Sequence, residues 1–195
     1  MVCGIIGITA NEDSLTKPLG ELIKEALKRL EYRGYDSVGF AVVTRKGVLE
    51  VRKSKGMIDA VAQKLGFDLF TGSTGIGHTR WATHGAPDDR NAHPHTDCSG
   101  RVAVVHNGII ENYRELRELL VAQGHEIRSE TDTEVVPHLI ELFKARGYSS
   151  YDAFKKTVEV LRGAYAIVAI DADEPNKLFF ARNTSPLIIG IGTQG

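Results

Sequence analysis

Apolar residues recur along this chain at two periods, one helical and one alternating, and the order of the two predicts its elements. Residues 3–9 form an uncharged apolar run that reads as a buried strand. Leu15, Leu19, Leu22, Ile23, Ala26, Leu27 and Leu30 recur at helical spacing, so an amphipathic helix is predicted over 15–30, with Ser14 as N-cap and Gly34 as stop. Strands at 38–44 and 48–53 make a hairpin turning at Arg45-Lys46-Gly47, and 58–65 reads as a helix. Strands follow at 74–80 and 102–106, and a loop as long as the one between them is usually functional or disordered. Helices are predicted at 111–123, 133–145 and 151–161, the second wrinkled or shifted by Pro137. Three strands close the pattern, at 164–170, 177–182 and 187–191. Strands come in antiparallel groups and helices in pairs, unlike the strict alternation of a parallel sheet, so the fold class is α+β, in layers.

Composition narrows the function classes. The 195 residues suit one large domain, and 42% hydrophobic content is enough for a substantial core. Lys plus Arg (24) nearly balance Asp plus Glu (25), so no nucleic-acid tract or membrane-surface patch is expected. No apolar run is long enough to span a bilayer, and the apolar start lacks the basic region of a signal peptide. Two cysteines, Cys3 and Cys98, could make one disulfide but no framework, which fits a reducing cytosol.

Four places carry candidate chemistry. Cys3 begins the first strand; it is either a small buried hydrophobe or, once exposed as the first residue, a nucleophile whose own α-amine serves as base. Asn107-Gly108 follows an apolar run; it is either a hairpin turn or a pair of N–H donors for an oxyanion hole. Arg80, with Thr83 and His84 just beyond it, offers a planar fork for a carboxylate, against the plain reading of a solvated arginine. Asp132 is either a helix N-terminal acid or the partner of a substrate ammonium. A cation and an anion together would suit a free amino acid. His84, His93, His95, His106 and Cys98 invite a zinc reading, but no pair has a familiar ligand spacing, so no metal is expected.

Taken in order, Cys3-Gly4-Ile5, the His78–Gly85 stretch around Arg80, Asn107-Gly108 and the Asp132 segment resemble the class II glutamine amidotransferases, a group of N-terminal-nucleophile hydrolases. Leu30–Ser37 and Asn91-Ala92-His93-Pro94-His95 resemble the branch of that family that aminates fructose 6-phosphate to glucosamine 6-phosphate. The resemblance implies a four-layer αββα sandwich of two antiparallel sheets. It implies that Cys3 attacks glutamine, that Asn107 and Gly108 form the oxyanion hole, and that Arg80 holds the α-carboxylate, with Thr83 and His84 beside it as further substrate contacts. It further implies that Asp132 holds the ammonium and that Trp81 gates ammonia transfer.

It also implies L-glutamine as substrate, no cofactor, a cytoplasmic homodimer in the full-length enzyme, and fructose 6-phosphate only through an isomerase domain that these 195 residues lack. On this reading 1–195 is one glutaminase domain whose C-terminal strands are missing. Amidophosphoribosyltransferase shares the nucleophile logic and is the rival branch. The sequence departs from the family in placing Val2 between Met1 and Cys3. If Val2 stays, the nitrogen of Cys3 is an amide and the domain would bind glutamine without hydrolysing it.

Overall fold

The computed structural model describes residues 3–81 and 86–192. Two four-stranded antiparallel sheets stack face to face. The first has the order β1 (Gly4–Thr9), β4 (Thr74–Arg80), β2 (Ser37–Val43), β3 (Leu49–Lys55). The second has the order β5 (His95–Thr96), β6 (Val102–Ile110), β7 (Gly163–Asp171), β8 (Phe179–Asn183). Helices α1 (Leu19–Lys28) and α2 (Ile58–Leu65) cover the first sheet. Helices α3 (Tyr113–Ala122), α4 (Val135–Ala145) and α5 (Ser150–Val160) accompany the second, and the core packs against it from α3, α4 and α5.

Strand alternation builds these layers. In β2, Val38, Phe40 and Val42 pack under α1 and α2, while Ala41 and Val43 join the layer between the sheets. In β6 and β7, Val102, Val104, Ile167 and Ala169 face the helices, and Ala103, Val105, Val168 and Ile170 face the other sheet. Successive side chains of a strand point to opposite faces, so one strand serves two cores. Each fully buried Leu, Ile or Phe contributes about 1.5–3 kcal/mol. Gly75 and Gly77 of β4 let α1 lie close, because a Cβ at either would come within 2.6 Å of Ile23.

The four-layer αββα expectation holds, with local corrections. The first helix starts at Leu19, not Leu15, because Pro18 stands at its N-cap; Ser14 instead ends a short 3₁₀ turn capped by Asn11. Gly34 closes a second 3₁₀ turn, Glu31–Arg33. Pro137 is the third residue of α4, in the first turn, where backbone N–H groups have no intrahelical acceptor, so the helix is unbroken and its start is shifted, as expected, from 133 to Val135. No strand forms at 187–191: Ile188 and Ile191 are 93% and 94% exposed, and this segment finds no ladder partner among the described residues. Both cysteines are free. No helix among the described residues is long and apolar enough to cross a membrane.

Candidate active site

Cys3, Arg80, Trp81, Asn107, Gly108 and Asp132, far apart in sequence, line one small cavity at the ends of the stacked sheets. Cys3 precedes β1 and Arg80 ends β4, its neighbour. Asn107 and Gly108 lie on β6 in the opposite sheet, and Asp132 lies in the loop entering α4. The cavity measures about 30 Å³, room for about one water. Larger cavities of 570 and 420 Å³ lie elsewhere: the first is an apolar groove between β1 and residues 187–192, the second surrounds residues 12–19. Neither is lined by a cysteine, so chemistry and not volume locates the site. Thr83 and His84, expected beside Arg80, lie outside the described residues.

The Cys3 thiol faces the backbone of Trp81. The Trp81 amide donates to Sγ at 3.1 Å, and the thiol donates to the Trp81 carbonyl at 3.6 Å. Burial pushes the Cys3 pKa up, against the lowering effect of the Trp81 amide and the Arg80 charge. The thiol is therefore protonated near neutral pH and needs a base to become a nucleophile.

Asn107 does not sit in a turn. β6 runs on through it to Ile110, which removes the hairpin alternative. Its Nδ2 donates to the Cys3 carbonyl at 2.7 Å, tying the second sheet to Cys3. Its Oδ1 lies 3.1 Å from Nε2 of His78, which is also 3.1 Å from the His106 carbonyl. Both neighbours are acceptors, so His78 carries its proton on Nε2 and donates. Burial pushes the His78 pKa down to about 3, which keeps the ring neutral. His78 thus fixes which way the Asn107 amide points and leaves one Nδ2 hydrogen without a protein partner among the described residues. Gly108 has φ +129, and a Cβ there would stand 2.0 Å from the Ala164 carbonyl. Glycine is required here by its backbone and by β7, more than by access to a ligand.

Arg80 is 3% exposed, not a solvated arginine, and donates to the Ala86 carbonyl at 3.3 Å. Burial pushes its pKa down, against the negative charges around it, Asp132 among them. Gly34 backs this strand end: a Cβ on it would meet the Arg80 carbonyl carbon at 2.7 Å and the Trp81 nitrogen at 2.8 Å. The Asp36 amide donates to the Arg80 carbonyl at 3.0 Å, and the Tyr35 ring meets Trp81 edge-on at 5.2 Å. The Leu30–Ser37 motif is a backing plate for Arg80 and Trp81.

Asp132 accepts from the Ile110 amide at 2.7 Å and is buried between two threonines that are held in turn. His93 Nε2 and His106 Nδ1 lie 2.9 and 2.8 Å from Thr133 Oγ1, and His95 Nε2 lies 3.0 Å from Thr131 Oγ1. Asn91 receives the Glu130 amide at 2.9 Å. Residues 91, 93 and 95 thus grip the Asp132 loop at every second position. Sequence reasoning missed this role, as it missed His78, whose one signal is its place two residues before Arg80 on the same face of β4.

The family model for the glutamine amidotransferase domain matches residues 78–194 of this chain. The glutamine–fructose-6-phosphate aminotransferase [isomerizing] of Pyrobaculum aerophilum is 57% identical over 98% of this chain and 31% of its own length. Its namesake from Sulfurisphaera tokodaii is 54% identical over 98% of this chain and 32% of its own length. The chain spans about a third of the length of these curated relatives. Among solved structures, the glutamine phosphoribosylpyrophosphate amidotransferase of B. subtilis, complexed with ADP and GMP, superposes with a TM-score of 0.72 at 28% identity, covering 87% of this chain and 35% of that one. An allosteric regulatory enzyme of purine biosynthesis gives 0.73 at 29% identity, covering 87% and 36%. The higher identities fall on the fructose-6-phosphate side, in keeping with the Leu30–Ser37 and Asn91–His95 stretches. A cysteine facing a fixed asparagine amide across two stacked antiparallel sheets, with a family match over more than half the chain, establishes that this chain belongs to the glutamine amidotransferase domain family.

Proposed function

We propose that this domain hydrolyses L-glutamine to glutamate and ammonia through a glutamyl thioester on Cys3. The observation that carries the reading is the Asn107 amide: its Nδ2 is bound to the Cys3 carbonyl and its Oδ1 is held by His78. The amide is fixed before any substrate arrives, as an oxyanion donor must be. The buried thiol needs a base, and an α-amine on Cys3 itself has a suitable pKa of about 7.7–8.0. That amine takes the thiol proton, Sγ attacks the side-chain amide carbon, and Asn107 with Gly108 stabilises the oxyanion. The protonated amine then passes its proton to the departing ammonia. Water, activated by the same amine, releases glutamate.

Arg80, with Thr83 and His84, binds the α-carboxylate, and Asp132 binds the ammonium. Trp81 stands at the exit taken by ammonia. The name shared by the relatives supports fructose 6-phosphate as the acceptor in the full-length enzyme, reached through a domain outside these residues.

Intact mass and ammonia release, measured on one preparation, test the mechanism. Chains beginning at Cys3 turn over, and Cys3→Ala binds glutamine without releasing ammonia. Arg80→Ala chiefly weakens binding. Chains that keep Val2 lose about 10²–10⁴ in rate, because their base is an amide. Full turnover by a species of mass beginning at Val2 would refute the amine base.

A further inference from the structure

A second cluster of chemically capable side chains lies apart from the cavity that holds Cys3. Cys98 sits in the turn between β5 and β6, His125 follows α3, and His138 and Glu141 stand one turn apart on α4. One ligand atom from each of the four lies within 4.8 Å of all the others. Cys98 Sγ is 3.5 Å from His138 Nδ1 and 3.8 Å from His125 Nδ1. Glu141 Oε2 is 3.6 Å from His138 Nδ1 and 2.9 Å from His125 Nδ1. Metal–ligand bonds of about 2.0–2.3 Å at tetrahedral angles put ligand atoms about 3.3–3.6 Å apart, close to this arrangement.

We propose that Cys98, His125, His138 and Glu141 form a binding site for one divalent cation of the zinc class. A thiolate, a carboxylate and two neutral imidazoles balance a doubly charged ion, and one sulfur with two imidazole nitrogens favours zinc over magnesium or calcium. Binding releases the Cys98 proton to solvent. Both imidazoles coordinate through Nδ1 and carry their proton on Nε2.

The surroundings are arranged for that. His138 is 1% exposed, and its Nε2 has no hydrogen-bond partner among the described residues. Glu134 Oε1 stands 3.8 Å from that nitrogen, an outer carboxylate of the kind that orients a metal-bound imidazole. Glu141 is itself held by the amides of Cys98 and Ser99, at 3.2 and 3.1 Å. The sequence conceals this set because the fold pairs Cys98 with His125 and His138, not with His93, His95 or His106. Glu134 also accepts from the Arg128 and Ser129 amides, at 2.9 and 2.5 Å. The ion would therefore staple three segments beside the loop that presents Asp132.

The test uses the full 195-residue chain, stripped with chelator and titrated with zinc(II), then with cobalt(II). One zinc binds per chain, cobalt gives a thiolate charge-transfer band, and zinc at a hundredfold excess over Kd raises Tm by about 5–10 °C. Cys98→Ser removes the band and the Tm rise, and His125→Ala weakens binding at least tenfold; both leave α4 intact, as circular dichroism checks. Cys3→Ala, which removes the other thiol, keeps all three signals. Absence of zinc uptake by the parent chain, or uptake unchanged in both Cys98→Ser and His125→Ala, overturns the proposal.

Discussion

On the proposed mechanism, the chemistry at Asn107 depends on a residue that touches no substrate. The His78 ring holds Oδ1 and so keeps Nδ2 turned toward Cys3. Loss of an oxyanion donor costs about 10²–10³ in rate, which bounds the effect of letting this amide rotate. His78→Leu is expected to lower kcat toward that bound with little change in KM, and His78→Gln, which keeps an N–H, to recover part of it. Steady-state kinetics on folded variants checks this; an unchanged kcat in His78→Leu would remove His78 from the mechanism. Gly108 shows a different residue-scale constraint. Its positive φ and the Ala164 carbonyl exclude any side chain, whether or not its amide meets an oxyanion.

Among the elements, the Asn91–His95 stretch and the loop before α4 behave as one unit. His78, His93, His95 and His106 are all buried, and burial holds all four pKa values below the ordinary histidine value. Each binds a proton more readily in the unfolded chain, near its usual pKa of about 6.5. The folded state therefore loses stability as pH falls below about 6.5, and for His78 this continues down toward its folded pKa of about 3. Urea midpoints are expected to drop between pH 7 and pH 5, above the range where most carboxylates titrate. His78→Gln should flatten part of that slope. A midpoint constant from pH 7 to 5 would mean that these rings are not buried neutral.

For the whole molecule, the site exists because two sheets stack. Cys3 and Arg80 belong to one sheet and Asn107 to the other, and the layer between them is thin: Ala41, Ala103, Val43, Val105, Ile76, Val168 and Ile170. Ala103→Leu adds three carbons where there is no exposure at all. Overpacking of this kind costs about 1–3 kcal/mol, and separation of the sheets would also draw Asn107 from Cys3. The variant should lose both urea stability and kcat. Ala181, on β8 beside the outer core, is a suitable control, since it is only partly buried; Ala181→Leu should leave kcat near the parent value. Equal turnover in Ala103→Leu and the parent chain would show that sheet spacing does not set the geometry.

What the sequence by itself determined was the layered α+β fold and the ordered set Cys3, Arg80, Asn107 and Asp132. Hydrophobic period reports which face of an element is buried, and these four side chains are chemically legible wherever they stand. Some boundaries were hidden because they rest on contacts. β6 passes through Asn107-Gly108 because β7 pairs with it, and 187–191 is no strand because it finds no partner in the described structure. Only the tertiary structure decided what each polar residue touches. It turned His78 to Asn107, set His93, His95 and His106 on the threonines flanking Asp132, and gathered Cys98 with His125 and His138. The physical reason is that a hydrogen bond or a ligand shell is set by distances of about 3 Å in space, and the spacing of residues along a chain does not record those distances until the sheets have closed.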